Sequence, residues 1–140
     1  MLSGAVLGAS LVVVVIFAAM PAKGVAGDVA VTLTNFRVAM PTALHPGRHT
    51  FAVTNSGTAP HELLVFRTDL PGNALPVGAD GDVIEDSPLL VKVVDSGDAS
   101  NPGASKSVPA SQPFAPGHYV PVCNLPGHYR LGMWLNVTVR

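Results

Sequence analysis

The run Cys123-Asn124-Leu125-Pro126-Gly127-His128-Tyr129-Arg130-Leu131-Gly132-Met133 sets a thiol, an imidazole and a thioether along one short loop, with four residues between each donor and the next. The residues on either side read as strands, one over 119–123 and a last one over 133–139 that puts Met133, Leu135, Val137 and Val139 on one face. A soft sulfur anion, a borderline nitrogen and a weak thioether together suit copper cycling between its two oxidation states, with the thioether as a long axial ligand. A further imidazole is needed, and His61 is well placed to supply it. Pro126-Gly127 turns the chain back after Cys123, so that His128 can face the metal the thiolate faces.

Working outward, the chain from about residue 28 reads as all-β. Val29, Val31 and Leu33 alternate with small or polar neighbours, the period of a half-buried strand. His45-Pro46-Gly47-Arg48 supplies a turn, and residues 50–54 alternate again through Phe51 and Val53. A turn-rich break over 55–60 precedes a strand-like run over 61–67. Residues 69–87 read as loop, 89–94 as a strand, and 95–113 as a second loop rich in Ser, Gly, Asn and Pro. Short strands at this spacing predict a two-sheet Greek-key β-sandwich.

Composition narrows the function classes. With 140 residues, 48% of them hydrophobic, the chain can bury one core and little more. Only 12% of residues are charged and the net charge is -1, which argues against nucleic-acid binding by phosphate neutralisation. The single Cys rules out an intrachain disulfide and a binuclear copper site that needs two cysteines. Between Asp69 and Asp98 lie seven acids against Lys92 alone, while the remainder carries seven bases against Asp28 and Glu62. Such asymmetry steers a charged partner, although a solvated Asp-rich loop is the plainer reading.

The first 22 residues carry no charged side chain, and 11–17 is a dense apolar run. As a helix this stretch would extend about 33 Å, enough for a bilayer core of roughly 30 Å. The chain therefore divides into 1–27, a membrane anchor or export signal with a linker, and 28–140, the β domain. An uncleaved anchor is preferred because no Lys or Arg precedes the apolar run and the cleavage options near Ala22 and Ala26 are poor. Either way the domain is expected outside the cytoplasm, membrane-anchored by the N-terminal helix or secreted or periplasmic.

Asn55-x-Gly57 followed by His61, then Pro116-Gly117-x-Tyr119-x3-Cys123-x2-Pro126-Gly127-His128-x4-Met133, resembles the blue-copper proteins, the cupredoxins. The spacing from Cys to His to Met is similar to that of auracyanin and rusticyanin, with some likeness to sulfocyanin. The resemblance covers roughly residues 28–68 and 105–140. It implies a cupredoxin-like sandwich behind the N-terminal apolar helix, and one copper ion held by His61, Cys123, His128 and Met133. It also implies single-electron shuttling between redox protein partners, with the edge of His128 reaching an apolar patch made by Pro60, Leu125, Pro126 and Leu131.

Where many members of this family place Asn after the first His, this chain has Glu62, a carboxylate that faces solvent, binds Arg130 or another base, or responds to pH. Asn124 is expected to make up part of the missing hydrogen bonding. His45, His49 and His118 fall outside the donor pattern and read as surface or turn residues, Trp134 as a core or patch aromatic, and Asn136-Val137-Thr138 as a weak glycosylation sequon. Two other classes compete with electron transfer. An extracytoplasmic copper carrier would favour Met-rich or His-rich extra segments, and the chain has four Met, two of them in the leader. A thiol enzyme built on Cys123 and His128 lacks a third orienting group and leaves Met133 unexplained, so an enzyme is not expected.

Overall fold

The computed structural model describes residues 25–140. The strands in chain order are β1 (Val29–Thr34), β2 (Arg37–Ala39), β3 (Ala43–Leu44), β4 (Thr50–Asn55), β5 (Leu64–Arg67), β6 (Val91–Asp95), β7 (Ser105–Pro109), β8 (Gly117–Val122) and β9 (Val137–Val139). One sheet has the order β2-β1-β4-β7 and the other β3-β9-β8-β5-β6. Both are mixed, because β1 runs parallel to β4 and β3 parallel to β9 while the other pairs are antiparallel. The expected all-β sandwich is present. The apolar segment over 1–22 lies outside the described residues, and among those described no helix is long and apolar enough to cross a membrane.

Alternation drives the first sheet onto the core. Val29, Val31 and Leu33 of β1 and Phe51 and Val53 of β4 are buried, each worth roughly 1.5–3 kcal/mol. Asn55, at the end of β4, is also buried, and its amide is fully used: Nδ2 donates to the carbonyls of Ala59 and Ser100, and Oδ1 accepts from Gly57 N–H. Between the sheets Phe114 stacks on Tyr119 with ring centroids 4.5 Å apart. The Tyr119 hydroxyl donates to the Ala115 carbonyl and accepts from its N–H, fastening the entry to β8.

The second sheet is covered on both faces. Leu63, Val65, Tyr119 and Cys123 face the inter-sheet core. Leu64, Phe66, Val120 and Val122 face the other way and pack with Leu75, Val83, Leu90 and Tyr129 in a second apolar cluster. Double coverage explains why β5 and β8 read as continuous apolar runs rather than alternating ones. The segment between β5 and β6 is irregular, as expected, apart from a short helical turn at Gly72–Ala74. It nevertheless supplies the lid of that second cluster.

Three readings are corrected. Residues 105–109, expected as loop, form β7 along the edge of β4, with Val108 its only buried side chain, so the apolar signal is absent and the backbone ladder holds the strand. The last strand is continuous only over Val137–Val139, with an isolated bridge from Trp134 to Val122 before it. His61 precedes β5 and is fixed instead by a bridge to Ser100.

Just before the central strands β1 and β4 of the first sheet, His49 presents both ring nitrogens to acceptors, Nδ1 to Asp28 Oδ2 at 2.6 Å and Nε2 to the His45 carbonyl at 2.7 Å. Burial opposes the charged imidazole, but Asp28 and the His45 carbonyl outweigh it and the pKa is raised above 6.5. The Thr50 N–H and then His49 hold Asp28 below 3.8. The His49 contribution is complete below 6.5 and is lost as pH rises through the folded value, and the Asp28 contribution is present above 3.8 and is lost as pH falls through its depressed value. The contact therefore stabilises most between 3.8 and 6.5. Urea midpoints measured from about pH 6 to about pH 8.5 should fall more steeply for the wild type than for Asp28→Asn; parallel profiles would show that the contact contributes nothing.

Candidate metal centre

Three donors meet at one end of the sandwich. Cys123 is the first residue after β8, His61 is held by the bridge to Ser100, and His128 rides on the turn that follows Pro126-Gly127. His61 Nδ1 and Cys123 Sγ each stand 3.3 Å from His128 Nδ1, and the three donor atoms all lie within 4.8 Å of one another. Donors this close together could share a single metal ion. Met133 is fully buried in the same core cluster as Cys123. Two nitrogens, one thiol and a thioether in dry surroundings fit one copper ion.

The loop geometry follows from its sequence. Gly127 adopts φ +81° and Gly132 φ +89°, left-handed conformations that side chains resist. The His128 N–H donates to the Leu125 carbonyl, and the Met133 N–H donates to the His128 carbonyl. The Cys123 N–H closes the loop on the Met133 carbonyl at 3.0 Å.

Protonation states suit the donor role. Burial, and then the neighbouring His128, push the His61 pKa down, leaving a neutral ring with a free lone pair. Burial pushes the Cys123 thiol up, against the N–H groups of Glu62 and Leu125, so the free thiol keeps its proton until a metal displaces it.

Glu62 does not bind Arg130, whose guanidinium lies over Gly81. Its N–H donates to Cys123 Sγ at 3.4 Å and its carboxylate accepts from Asn124 N–H at 3.2 Å, so this residue itself ties the Cys loop to its strand. Burial raises the Glu62 pKa, with Glu85 and Asp95 adding to it and the Asn124 N–H opposing. The Asn124 side chain turns away from the thiol: Oδ1 accepts from Val83 N–H, and Nδ2 donates to the Val83 carbonyl and to Glu85.

Those contacts belong to a wider lacing of the donor loop by the segment after β5. Gly127 N–H donates to Asp82, and the Tyr129 hydroxyl donates to the Gly72 carbonyl while accepting from Leu75 N–H. Gly72 lies so close beneath Trp134 that a methyl group there would fall 2.3 Å from the ring.

Two residues escaped the sequence reading. Asn35 and Phe36 form the tip between β1 and β2; Phe36 sits at φ +62° and packs edge-on against His128 at 5.2 Å and His61 at 6.5 Å. Pro60, Pro126, Phe36 and Leu131 are exposed and His128 and Leu125 half-buried, with Phe36 packed against the His128 ring. The other histidines stand apart from the donors. His118 bonds the Thr68 carbonyl and Asn136 Oδ1, an oxygen that also accepts from Gly72 N–H. The Asn136 side chain is thus engaged in the fold.

A family model described as the sulfocyanin (SoxE) domain matches residues 12–140. Among solved structures, a dithionite-reduced auracyanin from the photosynthetic bacterium Roseiflexus castenholzii is similar at 23% identity, covering 79% of this chain and 94% of that one with TM-score 0.58. Auracyanin A, a "blue" copper protein of Chloroflexus aurantiacus, is similar at 19% identity over 79% of this chain and 99% of its own, TM-score 0.54. Auracyanin B shares 23% identity over 84% of this chain and 95% of that one, TM-score 0.52. These likenesses establish the sandwich fold. No curated protein matches the sequence.

Tyr129→Phe strips the partner from the Leu75 N–H and the Gly72 carbonyl, both in buried contacts. It should cost about 1–3 kcal/mol in urea unfolding and speed amide exchange across the donor loop. Unchanged exchange there would mean that the loop holds its shape without the lacing.

Proposed function

The chain belongs to the sulfocyanin (SoxE) domain family, among the cupredoxins, and from that we propose that it is a mononuclear blue-copper protein carrying single electrons between redox proteins outside the cytoplasm. The observation that carries this reading is the convergence of His61, Cys123 and His128 at one buried end of the sandwich. In this reading residues 28–140 are the copper domain, residues 1–27 anchor or export it, and His61, Cys123, His128 and Met133 are the ligands.

Bound copper supplies a one-electron couple. The protein's part is to hold the donors still, so that little rearranges when the charge changes. His61 is held by its backbone bridge to Ser100 and Cys123 by its bond to Met133 and the Glu62 N–H. The buried setting of Cys123 and Met133 excludes water and, with the hydrogen bond on sulfur, tunes the potential. His128, half-buried beside the exposed Phe36 while His61 and Cys123 are buried, is the donor that offers a way out to a docked partner. Copper delivery is the weaker alternative, because it calls for accessible sulfur donors and both Cys123 and Met133 are fully buried.

The Cu(II)-loaded protein should show an intense visible charge-transfer band that bleaches reversibly on reduction and vanishes in Cys123→Ser. A colourless protein, or copper binding indifferent to Cys123, would overturn the reading. With Met133 as the axial ligand, Met133→Leu should raise the reduction potential in voltammetry; an unchanged potential would remove that residue from the site.

A further inference from the structure

We propose that Asn35 positions His61 for the metal, holding the proton on Nε2 so that the Nδ1 lone pair points at the other donors. The proposal rests on the copper reading above for its consequence, though not for its geometry.

The argument runs through the Asn35 amide, whose orientation the backbone decides. Oδ1 accepts from the N–H groups of Thr58 at 3.0 Å and Ala59 at 3.3 Å, and backbone N–H groups only donate, so the atom facing them is the oxygen. Nδ2 then falls to the Thr58 hydroxyl. The same oxygen stands 3.2 Å from His61 Nε2. An amide oxygen cannot donate, so Nε2 must carry the proton. In a neutral imidazole the other nitrogen is then bare, and that nitrogen is Nδ1, which faces His128 Nδ1 at 3.3 Å.

Gly57 supports this reading independently. A methyl group on it would fall 2.5 Å from Asn35 Oδ1 and 2.9 Å from His61 Nε2. The Gly57 backbone therefore walls the contact from the side, and the absent side chain is what lets the amide and the ring meet. The neighbouring Phe36 keeps a left-handed conformation at φ +62° that a bulky residue resists, so the tip is held in place against strain.

The alternative is that Asn35 only ties down residues 58 and 59. Long-range proton–nitrogen correlation spectra of the full-length apo protein read the His61 tautomer directly, with no copper present. Wild type and Asn35→Asp, which keeps the acceptor, should show Nε2–H alone, and Asn35→Ala should show a mixture that includes Nδ1–H. In competition with a chromophoric Cu(I) chelator, Asn35→Ala should bind about 10- to 100-fold more weakly, and Thr58→Val, which spares the Oδ1 contact, should stay within about threefold of wild type. The proposal fails if Asn35→Ala keeps a single Nε2–H tautomer, if Asn35→Asp loses it, or if Thr58→Val weakens copper as much as Asn35→Ala. A wild type that takes no copper would overturn the function above, while the apo spectra would still decide the role of Asn35.

Discussion

The register of β5 against β8 governs the site. Leu64 opposes Val122 and Val65 opposes Pro121. Continuing that pairing past the strand ends sets Leu63 opposite Cys123 and Glu62 opposite Asn124, which leaves the Glu62 N–H within 3.4 Å of the Cys123 sulfur. Side chains alternate between the faces of a sheet, so a slip of one residue would turn Cys123 out of the inter-sheet core and bring Val122 in. Leu63 and Val65 on one side and Leu64 and Phe66 on the other are all buried, so a slip would exchange one apolar set for the other, and what resists it is the close fit of these particular side chains. The donor geometry is thereby tied to the packing of the whole second sheet.

The segment between β5 and β6 adds a second constraint. It covers the outer face of the sheet and grips the donor loop through Asp82, Val83, Glu85, Gly72 and Leu75. A loop held from both ends and along its length has few alternative conformations, which is the condition for a metal site that barely moves when its charge changes. The acids of this segment are therefore not all free to meet solvent or a partner. Asp82 and Glu85 hold backbone and side-chain donors of the loop, and Glu85 and Asp95 also pair with Lys92.

Much of this was legible in the residues. The alternation at 29–33 and 51–53, the turn residues between strands and the three-donor loop pointed to the sandwich and to the cluster that the structure brings together. Strand β7 was not legible because one apolar side chain in five gives no periodic signal, and an edge strand needs none. The double coverage of the second sheet was hidden because its lid, with Leu75, Val83 and Leu90 scattered among Asp, Gly and Pro, has the composition of a solvated loop. Asn35 reads as an ordinary turn residue. Its contact with His61 joins positions 26 residues apart, and no local pattern announces such a meeting.

The burial of Cys123 also decides how the protein survives while it waits for metal. A solitary cysteine has no partner within its own chain, so an exposed one would be captured by foreign thiols or climb the oxidation ladder. Both reactions need a thiolate that reagents can reach. Here the sulfur is enclosed and the thiol holds its proton more firmly than a free one. The features that make an unreactive cysteine thus preserve a usable ligand, and an empty chain can persist among oxidants without losing the capacity to be loaded.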